Sequence, residues 1–146
     1  MSDKKLHLRI VTPDKTVVDK QVDAVGANGT EGAFTALPGH LPFLTDLKPG
    51  LLWYRGDGAT RDLAVSGGFI EVKPDHVYVL ADSAEYLEDI DVERAERALK
   101  RAEERLAKAK DDAKNAEDGA LKDINDISAS LNRAATRLKL AARRIR

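Results

Sequence analysis

Cysteine is absent from the 146-residue sequence, which excludes disulfides, thiolate metal sites and a cysteine nucleophile. Long apolar runs are absent too, since no stretch approaches the roughly 20 residues that a membrane-spanning helix needs. The first residues, Met1–Lys5, lead into a strand pattern without an apolar signal segment. We therefore expect a soluble protein, or one that contacts a membrane only through a partner.

Signatures of catalysis are also missing. The sequence has neither a Gly-x-x-x-x-Gly-Lys phosphate loop nor a Gly-x-Ser-x-Gly elbow. The three histidines, His7, His40 and His76, lie on different elements without metal-ligand spacing. The net charge of −1 gives no argument for nucleic acid. We expect no catalytic residue, no metal site and no nucleic-acid partner.

Proline and glycine are concentrated in the first part of the chain. After the stretch Glu85–Arg101 there is no proline and a single glycine, Gly119, while Ala, Glu, Lys, Arg and Leu dominate. Such a change is expected where a β domain gives way to long helices. We predict a β domain over residues 1–88 and a helical domain over residues 89–146.

The first part shows period-2 alternation, with Leu6, Leu8 and Ile10 separated by polar residues. Turn signals are frequent, and Gly67–Gly68 indicates a tight turn with positive φ rather than a ligand contact. This pattern predicts an antiparallel β-sandwich or barrel. The other predicted strands are Val17–Val25, Leu51–Arg55, Arg61–Val65, Phe69–Lys73 and Val77–Ala81.

The second part changes to helical spacing and predicts an antiparallel two-helix hairpin, which makes the whole an α+β protein. Two alanine-rich seams step by three and four residues, with a break at Asn115–Gly119. Alanine buries little area, so we expect a hairpin that can exchange packing partners. The predicted seams are Val92, Ala95, Leu99, Ala102, Leu106, Ala109 and Ala113, then Leu121, Ile124, Ser128, Leu131, Ala135, Leu138, Ala142 and Ile145.

The C-terminal stretch is strongly basic. Residues 127–146 hold six basic residues and no acid, so the rest carries 24 − 6 = 18 basic residues against 25 acidic ones, a net −7. Such a segment is typical of one that docks on an acidic partner or binds an anion. The alternative is that cations simply match the helix dipole at its C-terminal end.

Arginines also repeat on the two predicted helices. A turn near Glu117 would set Arg101 level with Arg133, and Arg97 level with Arg137. Guanidinium groups at one level repel unless anions lie between them, and phosphate matches their geometry. The alternative is a solvated face on which nearby glutamates pair with the arginines.

Several motifs in order resemble the epsilon subunits of bacterial F-type ATP synthases. The resemblance covers nearly the whole chain, although Gly32–Ala36 departs from that family's glycine-rich form. The motifs are Leu8–Pro13, Leu37–Pro42, Leu47–Gly50, Ala64–Val72, Val77–Asp82 and Ile90–Ala95.

This resemblance implies a β-sandwich followed by a helical hairpin in a non-catalytic rotor subunit of the central stalk. The sandwich would bind the gamma subunit and the c-ring, at the cytoplasmic face of the bacterial plasma membrane. The hairpin would fold compactly, or extend to the alpha/beta catalytic head and inhibit ATP hydrolysis. A free-standing adaptor with a coiled-coil arm for another acidic partner is the alternative.

The resemblance also implies a regulatory ATP site without hydrolysis, through the motif Ile/Leu-Asp-x-x-Arg-Ala. No cofactor is required, and ATP would hold the hairpin compact. Histidine in the Pro-Gly-His-Leu-Pro turn is expected to fix a turn or an interface. The implied ATP-binding residues are Glu85, Ile90, Asp91, Arg94, Arg101, Arg133 and Arg137, and the implied partner-binding residues are His40, Arg143 and Arg144.

Overall fold

The computed structural model describes residues 3–114 and 120–143. Ten strands precede two helices, which confirms the predicted α+β class, and the chain divides into two compact units, Met1–Asp89 and Ile90–Arg146. A single 3₁₀ turn covers Leu87–Asp89. The strands and helices are β1 Leu6–Val11, β2 Thr16–Val22, β3 Ala24–Gly29, β4 Gly32–Ala36, β5 Phe43–Leu47, β6 Gly50–Gly56, β7 Ala59–Val65, β8 Gly68–Val72, β9 His76–Ala81, β10 Ala84–Tyr86, α1 Val92–Ala113 and α2 Ala120–Arg143.

The strands form one curled sheet in the order β10-β7-β6-β3-β5-β8-β9-β1-β2, with β4 beside β3. The sheet curls back on itself, since Gly56 of β6 lies against Gln21 and Val22 of the end strand β2. Neighbouring strands are antiparallel except β1 and β9, which run parallel. The prediction that all strands are antiparallel is therefore wrong for this one pair, whose strands lie far apart in the sequence.

The core fills the inside of this curled sheet. Leu6, Leu8 and Ile10 of β1 are 0% exposed while the residues between them are half-buried, so the predicted alternation is confirmed. Alternation places every second residue on one face of a strand. The cluster they join is contributed by all the long strands: Val18, Val22, Val25, Ala27, Ala36, Leu47, Leu52, Tyr54, Leu63, Val65, Ile70, Val72, Val77, Val79 and Ala81.

Two predictions about strands are wrong. The predicted strand Val17–Val25 is two strands that separate at Asp23, because β3 leaves β1 and pairs with β4 and β6 instead. The segment Gly32–Pro49 holds β4 and β5, which the sequence did not indicate. Both are five residues long and largely exposed, so they lack the apolar alternation by which strands are recognised.

The turns follow their residue types. Asp57 and Gly58 connect β6 to β7 with φ of 53° and 76°, values that a two-residue hairpin of this kind requires. Gly67 and Gly68 have φ of 92° and 115°, which confirms the predicted positive φ. They turn the chain into β8.

Helix α1 matches its predicted seam. Ala95 and Ala102 are buried, and the five other seam residues are half-buried. Its first turn is capped by Asp91, whose Oδ1 accepts a hydrogen bond from the Arg94 backbone N at 3.0 Å. A side-chain oxygen in this position satisfies a helical N–H that has no partner within the helix.

The predicted seam of α2 is wrong at alternate positions. Ile127, Ala134 and Ala141 are buried, while Ala135 and Ala142 are exposed. The seam therefore runs one residue earlier at these steps, and Ser128 is only half-buried. The adjacent alanines Ala134/Ala135 and Ala141/Ala142 do not distinguish the two registers, although the apolar Ile127 beside the polar Ser128 favours the observed one. The predicted break Asn115–Gly119, Ile145 and the side chain of Leu121 lie outside the described residues.

Candidate functional site

The outer face of the curled sheet carries an apolar patch, which we call the outer patch. Leu44 on β5, Phe69 on β8 and Leu80 on β9 are 67%, 55% and 57% exposed. Phe69 lies directly opposite Leu80, and Leu44 lies opposite Glu71, diagonal to Phe69. Diagonal neighbours on one face remain within reach of large side chains. The three side chains thus form one contiguous surface rather than scattered apolar residues.

Sequence reasoning missed the outer patch, although a signal was present. In both β8 and β9 an apolar residue is followed by another, Phe69 by Ile70 and Val79 by Leu80. Side chains of consecutive strand residues point to opposite faces. Two successive large apolar residues therefore indicate a strand whose outer face is apolar as well as its inner one.

The loop between β4 and β5 adds further exposed apolar side chains. Leu37 and Leu41 are 51% and 80% exposed. Backbone hydrogen bonds hold the loop: within it the His40 N donates to the Leu37 carbonyl at 3.0 Å, and the Gly39 N donates to the carbonyl of Pro74, between β8 and β9, at 2.7 Å. The His40 ring pairs through Nδ1 with the Leu41 carbonyl at 2.6 Å. His40 thus fixes a turn, while its role at a partner interface stays a prediction.

Strand β10, the last strand of the β unit, contacts β7 and β6. Strand β10 pairs with β7, with Glu85 opposite Ala64 and Tyr86 opposite Leu63. The Tyr86 hydroxyl shares a hydrogen bond of 2.9 Å with the hydroxyl of Tyr54 in the core. Burial, followed by this hydrogen bond, raises the pKa of Tyr86 to about 12. The neutral phenol is therefore strongly favoured here.

The predicted ATP-binding residues are divided between the two units. Glu85 belongs to the β unit, and the other six belong to the helical unit. Ile90 is 3% exposed, and Asp91 caps α1 through Oδ1. A carboxylate has two oxygens, so this cap leaves Oδ2 as a further acceptor for a ligand.

Of the predicted arginines, Arg94, Arg101 and Arg133 are exposed and Arg137 is half-buried. Arg133 donates from Nη2 to the Ser130 hydroxyl at 2.9 Å. Arg143 is exposed at the end of α2, and Arg144 lies outside the described residues. The first three arginines are therefore accessible to an anion.

An open groove between α1 and α2 shows how the two helices are aligned. Its volume is about 550 Å³, and its lining comes equally from both helices. The lining runs through Arg105, Lys108, Ala109 and Asp112 on α1, and through Asp123, Asp126, Ile127 and Ser130 on α2.

The lining bears on the predicted alignment of the hairpin but does not reach the predicted arginines. Residues 105–112 of α1 and residues 123–130 of α2 border the same groove, so these two segments lie at one level. The level of Arg101 with Arg133 follows only if the antiparallel alignment continues beyond them, and it stays a prediction. None of the predicted arginines lines this groove, whereas Arg105, which the sequence analysis did not select, does.

Within residues 3–114 and 120–143, no group of three or more His, Asp or Glu residues is placed to hold a metal ion. Nor does either described helix combine the length and apolar character needed to cross a membrane.

Comparison with known proteins identifies the family. The model of the ATP synthase delta/epsilon chain β-sandwich domain matches residues 5–87, and the model of the delta/epsilon chain long α-helix domain matches residues 88–142. Proteins named ATP synthase epsilon chain from Nitratidesulfovibrio vulgaris and Carboxydothermus hydrogenoformans are 56% and 50% identical over 96 and 100 residues. These stretches cover 66% and 68% of this chain, and 72% and 74% of theirs.

A solved structure shares the fold. A chain in the Euglena gracilis mitochondrial ATP synthase, resolved as OSCP/F1/c-ring in rotational state 1, matches with a TM-score of 0.73 at 23% identity, covering 97% of this chain and 84% of that one. The molecule is thus of the class that joins a β-sandwich to a pair of long helices. The chain belongs to the ATP synthase delta/epsilon chain family, among its epsilon chains, which confirms the resemblance.

Proposed function

We propose that the chain is a non-catalytic rotor subunit of a bacterial F-type ATP synthase, working at the cytoplasmic face of the plasma membrane. Its β unit couples rotation to ATP synthesis by docking on the gamma subunit and the c-ring, and its helical unit restrains ATP hydrolysis. Membership of the epsilon chains supports the assignment to the complex. The outer patch is the observation that carries the docking.

The outer patch suits a permanent protein partner. Large contiguous apolar surfaces on soluble proteins mark interaction sites, and here three large side chains are more than half exposed on neighbouring strands. Each is fixed by a sheet whose inner face is the core, so docking requires little ordering of the patch itself. We assign this patch to the gamma subunit.

Substitution of Phe69 or Leu80 by Ser tests the assignment. Each change removes an exposed side chain, so we expect the β unit to stay folded, as reported by the fluorescence of the single tryptophan, Trp53. Loss of one apolar anchor at an interface costs about 2 kcal/mol, which is about a 30-fold loss of affinity for gamma. Arg55→Ser, at an exposed position of β6, is the matched control.

Copurification of gamma and the c-ring with the coexpressed chain provides the measurement. Wild type and Arg55→Ser are expected to retain gamma, and the patch variants to lose it. Retention by folded Phe69→Ser and Leu80→Ser would show that docking uses another surface. If wild type retains neither partner, the free-standing adaptor replaces the rotor subunit as the better proposal.

The basic end of α2 supports the regulatory part of the proposal. We assign the stretch that includes Arg137, Arg143 and Arg144 to an acidic surface of the alpha/beta head, which it reaches when the hairpin extends. Exposed ion pairs contribute only about 0.2–1 kcal/mol each, so single substitutions should have little effect. Replacing all three by Ala should relieve inhibition of hydrolysis, most clearly at low salt.

A matched control removes the same charge from the other helix, by replacing Lys100, Lys108 and Lys110 of α1 with Ala. Inhibition should survive this change, because the proposed contact lies on α2. Equal relief in both triple variants would mean that net charge, and not docking of the α2 end, controls hydrolysis.

ATP binding is the proposed control of the helical unit. Ile90, Asp91 and Arg94 are assigned to the adenosine, and Arg101, Arg133 and Arg137 to the phosphates. Support comes from the accessible arginines, and the predicted shared level of Arg101 and Arg133 would bring two of them to the same phosphates. A ligand that binds only the compact state stabilises it by about 2.7 kcal/mol at a hundredfold excess over Kd. This is enough to shift the equilibrium between the compact and extended hairpin, because a seam built largely from alanine packs weakly.

A further inference from the structure

The segment that ends the β unit is bound to it along its whole length. Before β10, the Ser66 N donates to the Ser83 carbonyl at 3.1 Å, and the two hydroxyls also hydrogen-bond. Strand β10 then pairs with β7. The 3₁₀ turn that follows buries Leu87, which is 7% exposed. This segment is therefore part of the sheet and its packing rather than a loose connection.

Four side chains add a second set of contacts, which we call the clasp: Tyr54, Arg61, Tyr86 and Glu88. Arg61 of β7 stacks over the Tyr86 ring, with its Cζ 4.8 Å from the ring centroid. The same guanidinium pairs through Nη2 with the Glu88 carboxylate. The hydroxyls of Tyr54 and Tyr86 meet at 2.9 Å. One arginine thus holds both β10 and the turn after it.

Helix α1 is fixed from its first residue. The Asp91 side chain caps the Arg94 N at 3.0 Å, and the Asp91 carbonyl accepts from the Ala95 N at 3.0 Å. The 3₁₀ turn ends at Asp89. Only Ile90 lies between the last element of the β unit and the capping residue of the helix.

We propose that the clasp is a positioning device, which confines any change in direction of the helical unit to the backbone of residues 89–91. Without it, residues 84–88 would detach from β7 more often, and each opening would lengthen the linker from about three residues to about eight. Fully extended, its reach would rise from roughly 10 Å to roughly 28 Å. A longer flexible linker lowers the effective concentration of the tethered unit at its target.

Native-state hydrogen exchange on the full chain tests the device. In Arg61→Ala and Tyr86→Leu we expect amides of residues 84–89 to exchange about tenfold faster, because local opening costs less when its contacts are removed. Amides of β1 and of α1 beyond Ala95 should keep their rates. Lys5→Ala, which breaks an exposed ion pair with Asp23 elsewhere on the β unit, is the matched control.

The outcomes distinguish a local effect of the clasp from a loss of stability of the whole β unit. Acceleration confined to residues 84–89, and absent from Lys5→Ala, supports the proposal. Unchanged rates in both variants, or an equal acceleration across β1 and the rest of the core, overturns it. A variant that fails to fold is replaced by Glu88→Gln, which keeps the shape of the side chain and removes only its charge.

The consequence for regulation rests on the proposed function and is measured separately, as ATP hydrolysis by the assembled complex. Loosening the clasp should weaken inhibition at least threefold, because the α2 end reaches the head less often. Normal inhibition in variants that show faster exchange would exclude this regulatory effect of the clasp. An uninhibited wild type would instead refute the proposed inhibition, and the exchange result would stand.

Discussion

Alanine at Gly68 is a severe test of the turn that leads into β8, beside the outer patch. A Cβ built on Gly68 would lie 2.0 Å from the Leu80 carbonyl oxygen and 2.8 Å from the Ala81 Cα. Both are backbone atoms of the paired strand β9, so no side-chain rotation relieves the contact. The residue also has φ of +115°, which L side chains rarely adopt.

The cost has two parts. A non-glycine residue in such a region costs about 1–3 kcal/mol, and forcing an extra group into a packed site costs about 1–3 kcal/mol more. We therefore expect Gly68→Ala to lower the free energy of unfolding by about 2–6 kcal/mol. For a unit of this size each kilocalorie lowers Tm by about 4–8 °C, so Tm should fall by at least about 8 °C.

Thermal unfolding followed by tryptophan fluorescence gives the assay, because Trp53 reports on the β unit alone. Gly58→Ala is the matched control, since its φ is +76° but a Cβ there meets no atom within 4 Å. Its free energy of unfolding should fall only by the cost of the backbone strain, about 1 kcal/mol. Equal losses in the two variants would refute the steric argument for Gly68.

Three further outcomes are expected. Ala134→Glu should lower the thermal stability of the hairpin, followed by helical circular dichroism, while Ala135→Glu should change it little, because only Ala134 is buried. Burial raises the pKa of Tyr86 from 10.0 to about 12. The stability that its neutral phenol contributes is therefore intact below pH 10 and is lost as the pH rises through 12. The free energy of unfolding, measured with urea, should fall more steeply over this window in wild type than in Tyr86→Phe. Calorimetry with ATP should show weaker binding in Arg94→Ala than in Arg97→Ala.

Each outcome has a contrary result. Greater damage from Ala135→Glu than from Ala134→Glu would restore the register predicted from the sequence. Identical alkaline unfolding in Tyr86→Phe would show that the phenol does not contribute. The ATP site requires heat on mixing with millimolar ATP. Its absence in wild type, or equal affinities in the two arginine variants, would exclude the site.

Local patterns determined most of the elements in this chain, although they merged β2 with β3 and missed β4 and β5. Alternation in β1 identified the buried face, and the loss of proline and glycine after Glu85 indicated the change to helices. The spacing of the α1 seam and the turn residues Asp57 and Gly58 also agree with the structure. These features depend on neighbours within a few residues, so the sequence displays them directly.

The same reasoning set Arg101 level with Arg133, from a hairpin turn near Glu117 and the regular rise of helices, and that alignment stays a prediction. The reasoning did not find the clasp, whose tyrosines meet from positions 32 residues apart. Nor did it find the outer patch, where Phe69 and Leu80 are joined by a strand pairing.

Tertiary structure alone decided the features that depend on distant partners. The parallel pairing of β1 with β9 joins strands from the two ends of the β unit, and no local pattern encodes it. The seam of α2 passes through Ala134 rather than Ala135 because of where α1 packs, since two adjacent alanines differ in nothing but position. Exposure of Leu44, Phe69 and Leu80 likewise follows from the curl of the sheet, which has only one inner face to bury.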